Sequence, residues 1–205
     1  MRGYMDFIET EDGLHALYGA PAQASLLKVT NALTPAYSAW VARSRLCILS
    51  TIGPEGTDAS PRGDDGPVIL VLDPQHIALP DWHGNNRIDS LRNILRDPRV
   101  SLMFLVAGAT NVVRVNGTAR ITNDADLCAR FARSSKLPRS VIIVQITEVY
   151  FQCARALMRS GIWQTGDQSA GLPSMGDILA EITSGVFDGA TYDSEWPEKA
   201  VKTMW

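Results

Sequence analysis

The chain has 205 residues, 45% of them hydrophobic and 20% charged, with a formal net charge of −3. This suits one domain, or one domain with terminal extensions, and gives no general reason to expect nucleic-acid binding. No apolar run reaches the roughly 18–20 residues that span a bilayer. The start, Met1 to Ile8, lacks the apolar stretch of a signal peptide, so the expectation is a cytoplasmic protein without membrane contact. Cys47, Cys128 and Cys153 are too scattered for a disulfide framework or a CxxC site. His15, His76 and His83 have no metal-ligand spacing, so no metal site is expected.

Residues 10–43 read as helical. Leu14 and Leu17 mark a first segment, Gly19-Ala-Pro21 interrupts it, and residues 22–31 resume it. Thr34 and Pro35 then start a helix as cap and first-turn proline. It carries Tyr37, Trp40 and Val41, expected to pack rather than to bind a ligand.

Residues 46–52 and 57–62 are the arms of a hairpin turned by Gly53-Pro-Glu-Gly56. Cys47 is expected to be a small buried side chain. The run Val68–Leu72 is too apolar for a water-facing sheet and belongs in a core or an interface. Residues 76–79 lead into the most informative stretch, Leu79 to Ile94. Here an apolar run ends, Gly84 offers a sharp turn, and Asn85 or Asn86 can cap a helix. Ile88, Leu91 and Leu95 recur at helical spacing and predict its buried face. Two readings stand on these residues alone. One is an ordinary capped helix with a solvent-exposed Arg87. The other is an anion site, in which free N–H groups, a helix dipole and an arginine meet a phosphate.

Asp97-Pro98 stops that helix, and residues 100–106 form a strand. Residues 112–121 alternate cleanly: Val113, Val115, Ala119 and Ile121 share one face, Arg114, Asn116, Thr118 and Arg120 the other. The alternation runs through Asn116-Gly117, which predicts a bulge in one long strand rather than a turn. Asn123 or Asp124 caps a helix reaching Arg133. A basic loop, 134–139, precedes a long strand over 141–151. A short helix or turn follows at 153–158, then a last helix over 174–183 and a polar tail holding Tyr192, Trp196 and Trp205. Six or seven strands at hairpin spacing argue for an antiparallel barrel, and the Gly-rich dinucleotide and P-loop fingerprints are absent.

Several blocks in order carry a family resemblance. They are the hairpin 46–62 with Ala59-Ser-Pro-Arg-Gly63, the stretch Leu79–Ile94, residues 97–104, Arg114-Val-Asn-Gly117, and the closing segment Tyr150 to Trp163. With these blocks the chain resembles the pyridoxamine 5′-phosphate oxidase-like family of FMN-binding split barrels, within its subgroup of flavin-nucleotide-binding proteins. The resemblance runs from Ser38 to Trp163. It implies a mainly β fold, an antiparallel split β-barrel over 38–163. A helical extension (1–37) precedes it, and a helix and tail (164–205) pack on the barrel or on a dimer partner. It also implies a homodimer with FMN at the subunit interface, and an oxidoreductase acting on a small-molecule substrate.

The resemblance places Arg62, Asn86, Arg87 and Ser90 on the FMN phosphate and Pro80 and Asp81 along the ring or ribityl chain. It brings Arg159 and Trp163 to the flavin from the other subunit. Catalytic residues remain unassigned, because no acid or base stands out. The junction reads Asn85-Asn-Arg-Ile88 without the family's usual Arg-Lys pair, and no histidine follows His83. Both departures argue against pyridoxamine phosphate itself as substrate. Three alternatives remain: a non-catalytic flavin-binding or storage protein, a haem-binding split barrel, and an interaction module without a cofactor.

Overall fold

In the computed structural model, which describes residues 5–153 and 155–205, seven strands form one antiparallel sheet flanked by helices. Residues 1–4 of the N-terminal extension, and Ala154 within the expected turn at 153–158, lie outside the described residues. The strands are β1 (Leu46–Gly53), β2 (Gly56–Gly63), β3 (Leu70–Asp73), β4 (His76–Asp81), β5 (Arg99–Leu105), β6 (Val112–Thr122) and β7 (Ser140–Gln152). Their spatial order is β2-β1-β5-β6-β7-β4-β3. The edge strands β2 and β3 are not paired with each other, so the sheet does not close. Yet Leu49 of β1 and Leu79 of β4, near opposite ends of that order, lie in one apolar cluster with Leu102, Phe104, Val115 and Ile142. The sheet therefore wraps around a shared core and leaves a gap beside β2: an antiparallel split β-barrel.

The strands follow the alternation in the sequence. β1 buries Cys47, Leu49 and Thr51, and β5 buries Val100, Leu102 and Phe104. Burial pushes the Cys47 thiol up to about 12, against the opposing pull of Arg62 across the ladder. At neutral pH that thiol is protonated and inert. In β6 the register shifts between Asn116 and Gly117, so the expected bulge is present and the strand continues through it. Val68 and Ile69 are core residues. Leu70 and Leu72 pack instead on a second cluster with Ala78, Phe131 and Val141.

The helices depart further from expectation. α1 (Glu11–Tyr18) is capped by Thr10, and α3 (Pro35–Arg43) by Thr34. In α3 Val41 is fully buried, while Tyr37 and Trp40 pack against the core. α2 (Gln23–Leu27) is shorter than the expected 22–31. The chain leaves it because Thr30 forms a two-way backbone bridge with Val149 of β7. α5 (Ala125–Ala129), capped by Asp124, stops before Arg133, whose backbone pairs with Lys136.

After β7 come α6 (Arg155–Ser160), α7 (Met175–Ile182) and α8 (Gly189–Lys202). The tail read as merely polar is thus a 14-residue helix, with Pro197 inside it. α7 and α8 form a hairpin that meets at Gly176 and Gly189. A Cβ on either would stand 2.2 Å from the other's carbonyl oxygen. Among the described residues no helix is long and apolar enough to cross a membrane.

α4 (Asp89–Arg96) differs most from its sequence pattern. Ile88 and Leu95 are exposed, and the buried residues are Ser90, Asn93 and Ile94, with Leu91 partly buried. Polar groups can be buried here because each has a partner. Ser90 Oγ donates to Asp58 at 2.8 Å and Asn93 Nδ2 to Thr51 Oγ1 at 3.1 Å.

The loop after α4 supplies a pH marker. Asp97 accepts from the Arg99 guanidinium and backbone N–H, which hold its carboxyl down at about 2. A depressed carboxylate contributes stability above its unfolded value, about 3.9, and loses it as pH falls through the folded value. The contribution of this contact is therefore present at neutral pH and fades between about 4 and 2. A carbon-detected NMR titration should place Asp97 below other exposed aspartates, and Arg99→Ala should return it towards the ordinary value.

Candidate functional site

β2 sets the axis of the site. Side chains two apart on a strand share a face, so Asp58, Ser60 and Arg62 form a row, and all three line a cleft of about 1,050 Å³. Asp64 extends the row, because its N–H donates to Arg45 O and carries the extended backbone past the strand end. The opposite wall comes from the end of β4, the loop 82–88 and the start of α4. The cleft is therefore the gap of the split barrel.

Three contacts span it, in order along β2. At one end Asp58 holds Ser90 of α4. In the middle the Arg62 guanidinium pairs with Asp81 across from β2 to β4, both side chains mostly buried. At the far end the Trp82 indole N–H donates to Asp64 at 3.1 Å. The Asp64 side chain is wholly buried and also takes Arg133 at 3.0 Å. Trp82 in turn packs T-shaped with Trp205, with ring centroids 5.3 Å apart.

The loop before α4 does not form the expected cap. Gly84 has open space around it and no left-handed φ. The left-handed residues are Asn86, at φ 59°, and Ile88, at φ 53°. Ile88, the residue preceding α4, is β-branched, so this conformation is costly and is held by its surroundings. Neither Asn85 nor Asn86 caps the helix. Asn85 accepts from Arg87 N, and Asn86 Oδ1 accepts from Arg139 Nη1 at 2.8 Å. The first turn of α4 consequently has no side-chain cap. The uncapped start leaves the first-turn N–H groups of α4 without a side-chain partner, a setting that suits an anion.

Six of the eight sequence-predicted residues line this one cleft: Arg62, Pro80, Asp81, Asn86, Arg87 and Ser90. Arg87 is largely exposed and pairs with Asp89 at 2.8 Å. Arg159 and Trp163 are elsewhere in the chain. Arg159 lies exposed on α6, and the Trp163 indole N–H donates to Ala109 O at 2.8 Å beside the β5–β6 turn. Arg139, Asp58, Asp64 and Trp205 also line the cleft and were not foreseen as ligands of the site.

The charge balance is specific. Arg62, Arg87 and Arg139 face Asp58, Asp64, Asp65, Asp81 and Asp89. The cations are already engaged, so an incoming anion must compete with carboxylates or use donors still free. Arg62 Nε is buried without a hydrogen-bond partner among the described residues. The uncapped start of α4 gives the cleft free N–H groups that a phosphate would satisfy.

The family model described as pyridoxamine 5′-phosphate oxidase matches residues 33–153, more than half of the chain. No match was found among curated proteins. Among solved structures, HupZ of Group A Streptococcus is similar at 16% identity and TM-score 0.49, over 60% of this chain and 95% of that one. An FMN-binding protein of Syntrophomonas wolfei is similar at 12% identity and TM-score 0.44, over 56% and 82%. General Stress Protein 26 of Bacillus anthracis is similar at 15% identity and TM-score 0.44, over 55% and 88%. With the family match spanning α3 and all seven strands of the sheet, the chain belongs to the pyridoxamine 5′-phosphate oxidase family.

Proposed function

We propose that this protein binds FMN in the barrel gap and works as a cytoplasmic, FMN-dependent oxidoreductase on a small organic substrate. The observation that carries the reading is the uncapped start of α4 opening into a cleft that Arg62, Arg87 and Arg139 line. Helix-start N–H groups beside arginines suit a phosphate monoester, and the cleft is large enough for the rest of the nucleotide. Bound FMN would supply the electron-transfer chemistry at its ring. Arg62, Arg87, Arg139 and Ser90 would hold its phosphate. Pro80 and Asp81 would run along its chain, and Trp82 would flank the far end.

Asp81 has a second task, because it fixes the Arg62 fork by pairing with it. His83 sits exposed at the rim and lines the cleft, within reach of solvent protons.

The same reading includes a homodimer. Phe7, Leu17, Tyr18, Leu27, Met158 and Val186 are more than half exposed on the terminal extensions and α6. A second copy would cover them and bring its own Arg159 and Trp163 to the cleft.

Equilibrium titration of the ligand-free chain with FMN, followed by absorbance, tests the proposal. Saturation at one FMN per chain is expected. A purified chain that ignores FMN and carries a Soret band would overturn it.

A further inference from the structure

The cleft is directional, and its far end is built from the aromatic side chains of Trp82 and Trp205. Asp58 and Asp64 lie six residues apart on extended chain, about 20 Å at 3.2–3.4 Å per residue. Ser90 and the start of α4 belong to the Asp58 end, and Trp82 and Trp205 to the Asp64 end. Trp82 is locked there by its N–H bond to the buried Asp64 carboxylate, itself held by Arg133. Trp205 reaches Trp82 because α8 returns to the barrel, where Lys136 Nζ donates to Lys202 O at 3.0 Å. Met204 and Trp205 both line the cleft.

We propose that Trp205, held T-shaped against Trp82, is the wall of the cofactor cleft that meets the flat ring of the ligand and selects for a planar group at that end. This rests on the FMN reading for the identity of the ring. Trp205 is a wall and not a plug, because the cleft keeps about 1,050 Å³ with the indole in place. An edge-to-face indole pair leaves ring surface free, and aromatic contact rewards a flat partner. α7 and α8 thereby gain a role in the site: the hairpin positions the wall.

The test uses the full chain and its Trp205→Ala, Trp205→Phe and Trp82→Phe variants. Two indoles 5.3 Å apart should give an exciton couplet in far-ultraviolet circular dichroism without any ligand. It should be present in the wild type and lost in both phenylalanine variants. Trp205→Ala should weaken FMN and riboflavin by the same factor, about tenfold, since the lost contact is to the ring and not the phosphate. The fluorescence of bound flavin should rise as the quenching indole is removed. A wild type without the couplet overturns the inference, as does a Trp205→Ala chain that binds both flavins as well as, or better than, the wild type. A wild type that shows the couplet and binds neither flavin overturns the FMN reading instead.

Discussion

The double variant Arg62→Ala, Arg87→Ala is expected to remain folded and to lose most of its affinity for FMN. Each charge-assisted hydrogen bond to a phosphate is worth roughly 1.5–3 kcal/mol, and about 1.4 kcal/mol is tenfold in affinity. The pair should therefore cost about two orders of magnitude or more. The shares are unequal. Arg62 is mostly buried in the gap and held in place by Asp81, so its loss removes a pre-placed guanidinium. Arg87 is three-quarters exposed and must leave Asp89 to engage, so its share is the smaller.

Removing Arg62 also leaves the Asp81 carboxylate unpaired in a partly buried place, which adds repulsion towards a phosphate. Arg62→Lys separates these effects: it keeps the charge beside Asp81 and loses the fork. Isothermal calorimetry on chains with native circular dichroism reads the result. Unchanged FMN affinity in the folded double variant would remove the phosphate from these two arginines.

Gly117→Ala is expected to be among the most damaging single substitutions in the barrel. A Cβ there would stand 2.1 Å from Gln145 O and 3.0 Å from its carbonyl carbon, on the neighbouring strand. Alanine would restrict the unfolded chain, a gain of roughly 0.4–1 kcal/mol where the native conformation accepts it. The clash outweighs that gain, since overpacking costs about 1–3 kcal/mol and a ladder carbonyl gives way less readily than a side chain. At about 2–4 °C per kcal/mol for a chain of this size, the melting temperature should fall by several degrees. Gly84→Ala, with open space and no left-handed φ, should leave it unchanged. A Gly117→Ala chain as stable as the wild type would mean the bulge relaxes at little cost.

The barrel was legible because its strands obey a local rule. Alternation in residues 112–121 gave the buried face of β6, and its persistence through Asn116-Gly117 gave the bulge. α4 broke the corresponding helical rule. Its buried face carries Ser90 and Asn93, which tolerate burial only because Asp58 and Thr51, 32 and 42 residues away, accept from them. No window of local sequence holds that information. The cap failed for a similar reason: Asn86 is engaged by Arg139, 53 residues on, and the chain reaches α4 through two left-handed residues instead.

α8 went unread because it is polar, starts at a glycine and contains Pro197, all of which argue locally against a helix. Its support is tertiary: Asp193 accepts from Ser174 and from Gly176 N across the hairpin. Six of the eight expected site residues were found in one cleft because family blocks and strand spacing agree. The row Asp58, Ser60, Arg62, Asp64 was visible in the period of β2 and could have brought Asp58 and Asp64 into the site from the sequence. Trp205 could not have been found this way, since only the fold returns the tail to Trp82.

The most direct measurement is a paired titration of the ligand-free protein with FMN and with riboflavin, which share the ring and differ by the phosphate. With two or more charge-assisted contacts to that phosphate, FMN should saturate at one per chain and bind at least about a hundredfold tighter than riboflavin. Equal affinities, or binding of neither, would contradict it.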